Sequence, residues 1–386
     1  MATVLTQEYV ILQRKIDRFA RQHIGNRDDL QSLEQFPRDI WTKMGKQGLL
    51  GLGIPKEYGG LGGNYVSIAT AGESLMRSGH NMGITISWLI HCVVSRFLIL
   101  GFGTTEQHNT YLPELASGKI TASIAVSEPG SGAHPKRLQT IAYHRGGIYT
   151  LQGEKSYLTN GPMADLFIVF ATTGMDGERK LFTAFLVPSN TKGLCKTEPM
   201  KLEYLKPSEH GGIVLCDCRI PTSSILGAEG SGYDDMAKPF REVEDALMMG
   251  LLVGGMSRQQ ELLLNLIAKQ GYQPTDELKT TIGELQAIVH TLRIMAYEAA
   301  SMLDSSTSHP EFLSLIISFR NLAKQFQDLI ETVLTQEGIE KDPELQRTTN
   351  ELALGIEMSK NIALMKQQRL GAELLSGKES DEVPAT

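Results

Sequence analysis

An α+β multidomain protein is predicted by three observations in this 386-residue chain. Apolar residues recur at three- and four-residue spacing to about residue 118. From about 121 to 232, short runs rich in Ile, Val, Phe and Thr are punctuated by Gly, Pro, Asn and Asp. Helical periodicity returns from 236 onward. The expected parts are an N-terminal helical domain (1–119), a middle antiparallel β domain (120–233), a C-terminal four-helix-bundle-like domain (234–375) and a flexible tail (376–386). The length fits two or three domains at roughly 150 residues each.

The first helical signal is Val10, Leu12, Ile16 and Phe19. It is interrupted at IPKEYGGLGGNY (54–65), where Pro55 lacks a donor and the glycine pairs favour positive φ. The β signal lies in ASIAVS (122–127), GIYTLQGEKSYLT (147–159), LFIVFATT (166–173), LFTAFLVP (181–188) and GIVLCDCRIP (212–221). Beyond it, Leu285, Ile288, Val289, Leu292, Met295, Ala299 and Met302 form one apolar stripe. Phe312, Leu315, Ile316, Phe319, Leu322, Phe326, Leu329 and Val333 form a second, which predicts two long packed helices. The last residues, ESDEVPAT, are polar and acidic, as in a frayed tail.

Composition excludes several classes. Apolar residues make up 41% and charged residues 21%, so disorder is not expected, and no uninterrupted apolar run predicts a membrane span. The net charge of −7, without a basic run, argues against nucleic-acid binding. Cys92, Cys195, Cys216 and Cys218 lack CxxC spacing, and His91, His108 and His210 lack metal spacing and read as ordinary structural or surface histidines. Neither a disulfide framework nor a metal site is expected. The start, MATVLTQEYVILQRKIDRF, has no signal-peptide pattern, and a reducing cytoplasm is the expected compartment.

Four segments carry more information: IPKEYGGLGG (54–63), GTTEQHNTYLPELASGKITASIAVSEPGSG (103–132), GEKSYLTNG (153–161) and ILGAEGSGY (225–233). In order and spacing they resemble the acyl-CoA dehydrogenase family, strongly to about residue 233 and faintly beyond. The resemblance implies a flavoenzyme that inserts a double bond between Cα and Cβ of an acyl-CoA. A carboxylate removes the α proton and FAD accepts the β hydride at N5. Hydrogen-bond donors stabilise the developing charge on the thioester oxygen.

The same resemblance assigns residues. Ser127, in place of the usual Thr, keeps the hydroxyl that contacts the flavin. Tyr157 stands where Trp usually stacks on the ring, Thr159 matches the residue that bonds near N5, and Asn160 completes the cofactor set. Gly132, Ala133 and Arg241 fall on the substrate side. The usual Ser-Asp after the turn is replaced by Ala133 and His134, which removes a CoA contact. Met82 and Trp88 fall in the helical segment that lines the acyl pocket in the family, but core packing explains a lone Trp equally.

Glu357 is the base that the resemblance favours, with Glu244 as the alternative. The sequence Ile356-Glu357-Met358-Ser359-Lys360-Asn361-Ile362 is the nearest match to the usual C-terminal Tyr-Glu-Gly-Thr setting. Glu244 falls where a minority of the family carry the base on the first bundle helix, although the following Arg is here Asp245. Arg241, four residues before Asp245, would share its helical face in a structural salt bridge.

Further departures concern the far end of the cofactor. KQGYQPTDELKTT (269–281) lacks the family's Arg and Phe-Gly, and QEGIEKDPE (336–344) keeps Gln336 and Gly338 without the glycine pair. Lys269 either replaces the arginine as a point charge or closes a helix before Gly271. Implied partners are an acyl-CoA, an electron-transfer flavoprotein as acceptor, and further copies of the chain as a homotetramer or homodimer. The alternative is a degenerate homologue that serves as an acyl-CoA-binding or scaffold subunit.

Overall fold

The computed structural model describes residues 6–271, 273–305, 309, 311–357 and 360–375. Helices α1 (Gln7–Ala20), α2 (Arg38–Lys46), α3 (Tyr65–Gly79), α4 (Met82–Val93) and α5 (Thr105–Ser117) precede a sheet. Helices α6 (Lys238–Lys269), α7 (Asp276–Asp304), α8 (Phe312–Gln336), α9 (Pro343–Glu357) and α10 (Lys360–Leu375) follow it. The helical, β, helical order expected from the sequence is therefore present. By contacts the chain forms two compact units. One comprises Arg21–Ile68 and Asn81–Asp245; the other comprises Met1–Ala20, Ala69–His80 and Ala246–Thr386. Met358, Ser359 and the tail predicted at 376–386 lie outside the described residues.

The sheet contains β1 (Ala122–Ala125), β2 (Ile141–Arg145), β3 (Ile148–Thr159), β4 (Leu166–Asp176), β5 (Arg179–Pro188), β6 (Leu194–Lys196), β7 (His210–Pro221) and β8 (Ile225–Leu226). Its order is β6-β7-β3-β2-β4-β5-β8, with β1 on β4. Antiparallel pairing dominates, but β1 runs parallel to β4, as does the short pairing of β2 with β4. The sheet is thus antiparallel in the main, as expected, with these two pairings as the exceptions. The chain between β1 and β4 is long enough for the crossover that parallel pairing requires. Phe167, Val169, Phe185, Val187, Leu151 and Ile213 fill the core on one face.

Strand β3 breaks its own alternation. Tyr149, Leu151 and Lys155 point inward, and two-residue alternation would bring Tyr157 inward as well. One extra residue is accommodated between Lys155 and Leu158, where three β3 steps oppose two on β7. Tyr157 takes φ 60° and is 61% exposed, and Leu158 is buried instead.

The helices of this unit frame the sheet. Asn81 caps α4 by accepting from the Ile84 N–H at 2.8 Å. Thr104 and Gln107 close a capping box on α5, which ends at Gly118 with φ 74°. Met82–Leu100 spans 19 residues with mean hydropathy 1.8, long and apolar enough to cross a membrane by length and composition alone. Since 83% of its most apolar window is buried within the fold, it is a core helix here. The IPKEYGGLGG segment is clipped by Arg96, which donates to the carbonyls of Gly53 and Gly63 at 3.0 Å each and lies 4.5 Å over the Tyr65 ring.

Gly83, near the start of α4, abuts backbone: a Cβ there would lie 2.1 Å from the Leu205 carbonyl oxygen. Gly83→Ala must therefore push α4 away from that segment. We expect thermal unfolding to show a loss of roughly 1–3 kcal/mol, the usual effect of overpacking. Gly146→Ala, at an open turn, does not create this clash.

In the other unit, α7 and α8 pack through Leu285, Ile288, Val289, Leu292 and Ala299 on one side and Ile316, Phe319, Phe326 and Val333 on the other. Gly250 and Gly254 set α6 flush on α3, since a Cβ would meet the Ala69 carbonyl oxygen at 2.6 Å or that of Glu73 at 2.3 Å. Glu73 is fully buried and bonds Arg293 at 2.8 Å and the Tyr297 hydroxyl; Arg77 extends the network to Asp17 at 2.8 Å. Such a carboxylate is tolerated because each oxygen is matched to a donor.

Candidate active site

The SEPGSG turn begins where β1 ends. Reciprocal bonds close it, from the Glu128 N–H to the Gly132 carbonyl at 2.9 Å and from the Gly132 N–H to the Glu128 carbonyl at 3.1 Å. Gly130 and Gly132 take φ of 73° and 56°, which favours glycine at both positions. The Ser127 carbonyl accepts from the Ser156 N–H at 2.9 Å, tying the turn to β3. Gly132 and Ala133 are exposed, and the Ala133 carbonyl accepts from the Tyr233 hydroxyl at 3.2 Å.

Beneath the turn lies a pair that the sequence reading did not single out. Lys155, with no exposed side chain, donates from Nζ to Glu128 Oε1 and to the Val126 carbonyl at 2.9 Å each. Glu128 also accepts from the N–H groups of Gln139 (2.6 Å) and Thr140 (2.9 Å). Burial lowers the Lys155 ammonium to about 8, against the opposing pull of Glu128. Burial would raise the Glu128 carboxyl, but Lys155 and the surrounding hydrogen bonds outweigh it and hold it below the ordinary range. The signal was strand parity, since Lys155 shares the inward phase of Tyr149 and Leu151.

At the end of β3 the predicted cofactor residues come together. The exposed Tyr157 ring stands on the bulge. Two residues on, the Thr159 hydroxyl lies 3.2 Å from His210 Nε2, and the Thr159 carbonyl accepts from Ser123 Oγ at 2.7 Å. Asn160 is buried at φ 65°. Its Nδ2 donates to the Ser87 carbonyl and its N–H to the Glu209 carbonyl, both at 2.8 Å, so it locks the rim onto α4. Asn160 thus acts as a brace. Trp88 is wholly buried and donates to the Leu49 carbonyl at 2.9 Å, and Met82 is wholly buried too; both belong to the core.

Of the two candidate bases, Glu357 ends α9 and is exposed on the unit that lacks the rim. Glu244 lies on α6 in the same compact unit as Ser127, Tyr157, Thr159 and Asn160, with about a quarter of its side chain exposed. Burial pushes its carboxyl up; Arg241 opposes this and Asp245 reinforces it. Arg241 Nε lies 3.6 Å from Asp245 and 3.9 Å from Glu244, the salt-bridged face expected from the sequence. Phe240, one turn earlier, packs on Phe97 with centroids 6.2 Å apart.

Lys269 is the last residue of α6, and Gly271 follows with φ 72°, the arrangement of a helix end. Among the described residues, no group of three or more His, Cys, Asp or Glu is placed to hold a metal ion.

An exposed flat aromatic ring beside a hydroxyl suits the face and edge of a heteroaromatic cofactor. Comparison with known proteins agrees with that chemistry. The acyl-CoA dehydrogenase N-terminal domain profile matches residues 6–119, and the middle-domain profile matches 123–213. An acyl-CoA dehydrogenase of Bacillus subtilis is 35% identical over 230 residues, covering 59% of this chain and 60% of that protein. An L-prolyl-(peptidyl-carrier protein) dehydrogenase of Pseudomonas fluorescens is 32% identical over 256 residues, 66% of each chain. The matches thus span about 60% of the length of the first of these relatives. In fold, a glutaryl-CoA dehydrogenase from Mycobacterium smegmatis, solved with FADH2, superposes with a TM-score of 0.80 at 23% identity, over 98% of this chain and 97% of that one. The motifs, the helix-sheet-helix architecture and both profile matches converge, and the chain belongs to the acyl-CoA dehydrogenase family.

Proposed function

We propose that the protein carries out FAD-dependent α,β-dehydrogenation of an acyl thioester, with Glu244 as the base. The observation that carries this reading is the carboxyl of Glu244, raised by burial and by Asp245, within the unit that holds the SEPGSG and KSYLTNG rim. A group that must take a weakly acidic α proton near neutral pH works best with a raised pKa. Glu357 lies at the exposed end of α9, in the other compact unit.

Bound FAD would supply the acceptor for the β hydride. Tyr157 would cover one face of its ring, while Ser127 and Thr159 would hold its edge. Glu128 and Lys155 keep the Ser127 turn fixed as the substrate enters, and the small, exposed residues Gly132 and Ala133 leave room for the thioester arm. Arg241 steadies the ionised Glu244 before the step, and Glu244 takes the α proton to become the neutral acid. An acyl-CoA is the substrate class favoured, with an electron-transfer flavoprotein as acceptor and a homotetramer or homodimer as the assembly. The altered Ala133-His134 pair admits other thioester carriers.

The test is the visible spectrum of the purified protein, alone and after incubation with FAD, followed by anaerobic addition of acyl-CoAs of different length. A flavin band that bleaches supports the reading. No retained flavin after incubation would overturn it in favour of a binding or scaffold subunit.

The raised carboxyl gives a pH prediction. The base works only when ionised, so activity should rise with pH through a limb above the ordinary glutamate range. Asp245→Asn removes a like charge and frees Arg241 for Glu244, so the limb should move to lower pH. A pH profile of kcat/KM for both proteins checks the direction.

A further inference from the structure

We propose that His210 is a positioning residue that accepts the hydrogen bond of the Thr159 hydroxyl, so that the Thr159 oxygen meets a bound flavin as an acceptor. The proposal rests on the reading above, in which Thr159 faces flavin N5.

The geometry fixes the direction of the bond. Thr159 and His210 are cross-strand partners at the ends of β3 and β7, with Oγ1 and Nε2 3.2 Å apart. The other ring nitrogen, Nδ1, faces the Ser208 carbonyl at 3.4 Å. A carbonyl only accepts, so the proton belongs on Nδ1; the opposite tautomer would set a bare nitrogen against a carbonyl oxygen. Burial also lowers the imidazole's pKa, which keeps the ring neutral. Nε2 then carries a lone pair, and the hydroxyl must donate to it. Ser208 is held in turn by the 2.9 Å contact of its hydroxyl with that of Ser87, on α4. The ring's orientation is therefore set from the core outward.

The consequence concerns which flavin state the rim prefers. In the oxidised ring N5 is an acceptor; in the reduced ring it bears a hydrogen and donates. A threonine free to rotate can serve either state, whereas one already donating to His210 can only accept. The chain would thereby bias its cofactor toward reduction, an effect separate from substrate binding or proton removal.

Two measurements test this. In the unmodified apoprotein, side-chain 15N shifts of His210 should report a protonated Nδ1 and a bare Nε2; a protonated Nε2 would overturn the proposal without any substitution. In the FAD-loaded protein, His210→Phe removes the acceptor while keeping a ring. It should shift the two-electron reduction equilibrium at least tenfold toward oxidised flavin, a potential lower by about 30 mV. In a Thr159→Val background the same substitution should have no effect. An unchanged potential in His210→Phe with FAD bound, or an equal shift without the Thr159 hydroxyl, would overturn the proposal. If the unmodified protein holds no FAD, the flavin reading fails and takes this proposal with it, an outcome distinct from either of those.

Discussion

Glu244→Gln should lower turnover of an acyl-CoA by about 10²–10⁴-fold, the usual contribution of a positioned general base. Exchange of the substrate α proton with solvent should fall in parallel. Glutamine preserves shape and hydrogen bonding but cannot accept the proton. FAD content should therefore stay constant, and the loss should appear in kcat rather than KM. Glu357→Gln should leave both rates within a few-fold, because that side chain is exposed at the end of α9, on the unit without the rim. The reverse pattern would transfer the role to Glu357. Isotope exchange followed by mass spectrometry separates the two, since it reads proton abstraction directly and needs no electron acceptor.

Lys155→Met should cost about 3–5 kcal/mol in chemical denaturation, the effect of leaving one partner of a buried ion pair uncompensated. Glu128 would retain its bonds to the N–H groups of Gln139 and Thr140 but lose its counter-charge, and the turn bearing Ser127 would loosen. Affinity for FAD should weaken alongside stability. The double variant Lys155→Met with Glu128→Gln should recover part of the loss, because the stranded charge is gone. Acid should act in the same direction. Glu128 is held below its ordinary pKa in the folded state, so its contribution is complete above that ordinary value and is lost as pH falls through the lowered one.

The course of the backbone was readable in the sequence wherever a run was long enough to show a period. The five β runs and both apolar stripes reappear as strands and helices at nearly the same residues. Strands β6 and β8, with three and two residues, are too short to display alternation and exist because longer neighbours offer them an edge. The parallel pairing of β1 was not legible either, since side-chain alternation is the same in both orientations.

The candidate site divides differently. Ser127, Tyr157, Thr159 and Asn160 were found through motif resemblance, and the structure gathers the last three at the end of β3. The roles of Glu244 and Glu357 depend on burial, which a lone glutamate in a helical pattern does not announce. His210 looked unremarkable for a similar reason, because its partner lies 51 positions away in sequence and meets it only through strand pairing. Glu73, at the centre of a buried network, reads in sequence as one more polar residue on α3.

The extra residue in β3 acts like a frameshift written into the backbone. Upstream of it one phase of the strand faces the core, and downstream the other phase does. Deleting Ser156 or Tyr157 would leave Leu158 two positions from Lys155, so Leu158 would still face the core and Thr159 would keep its face. What such a deletion removes is the bulge itself, and with it the left-handed step on which the Tyr157 ring stands. The extra residue therefore serves the rim and not the core.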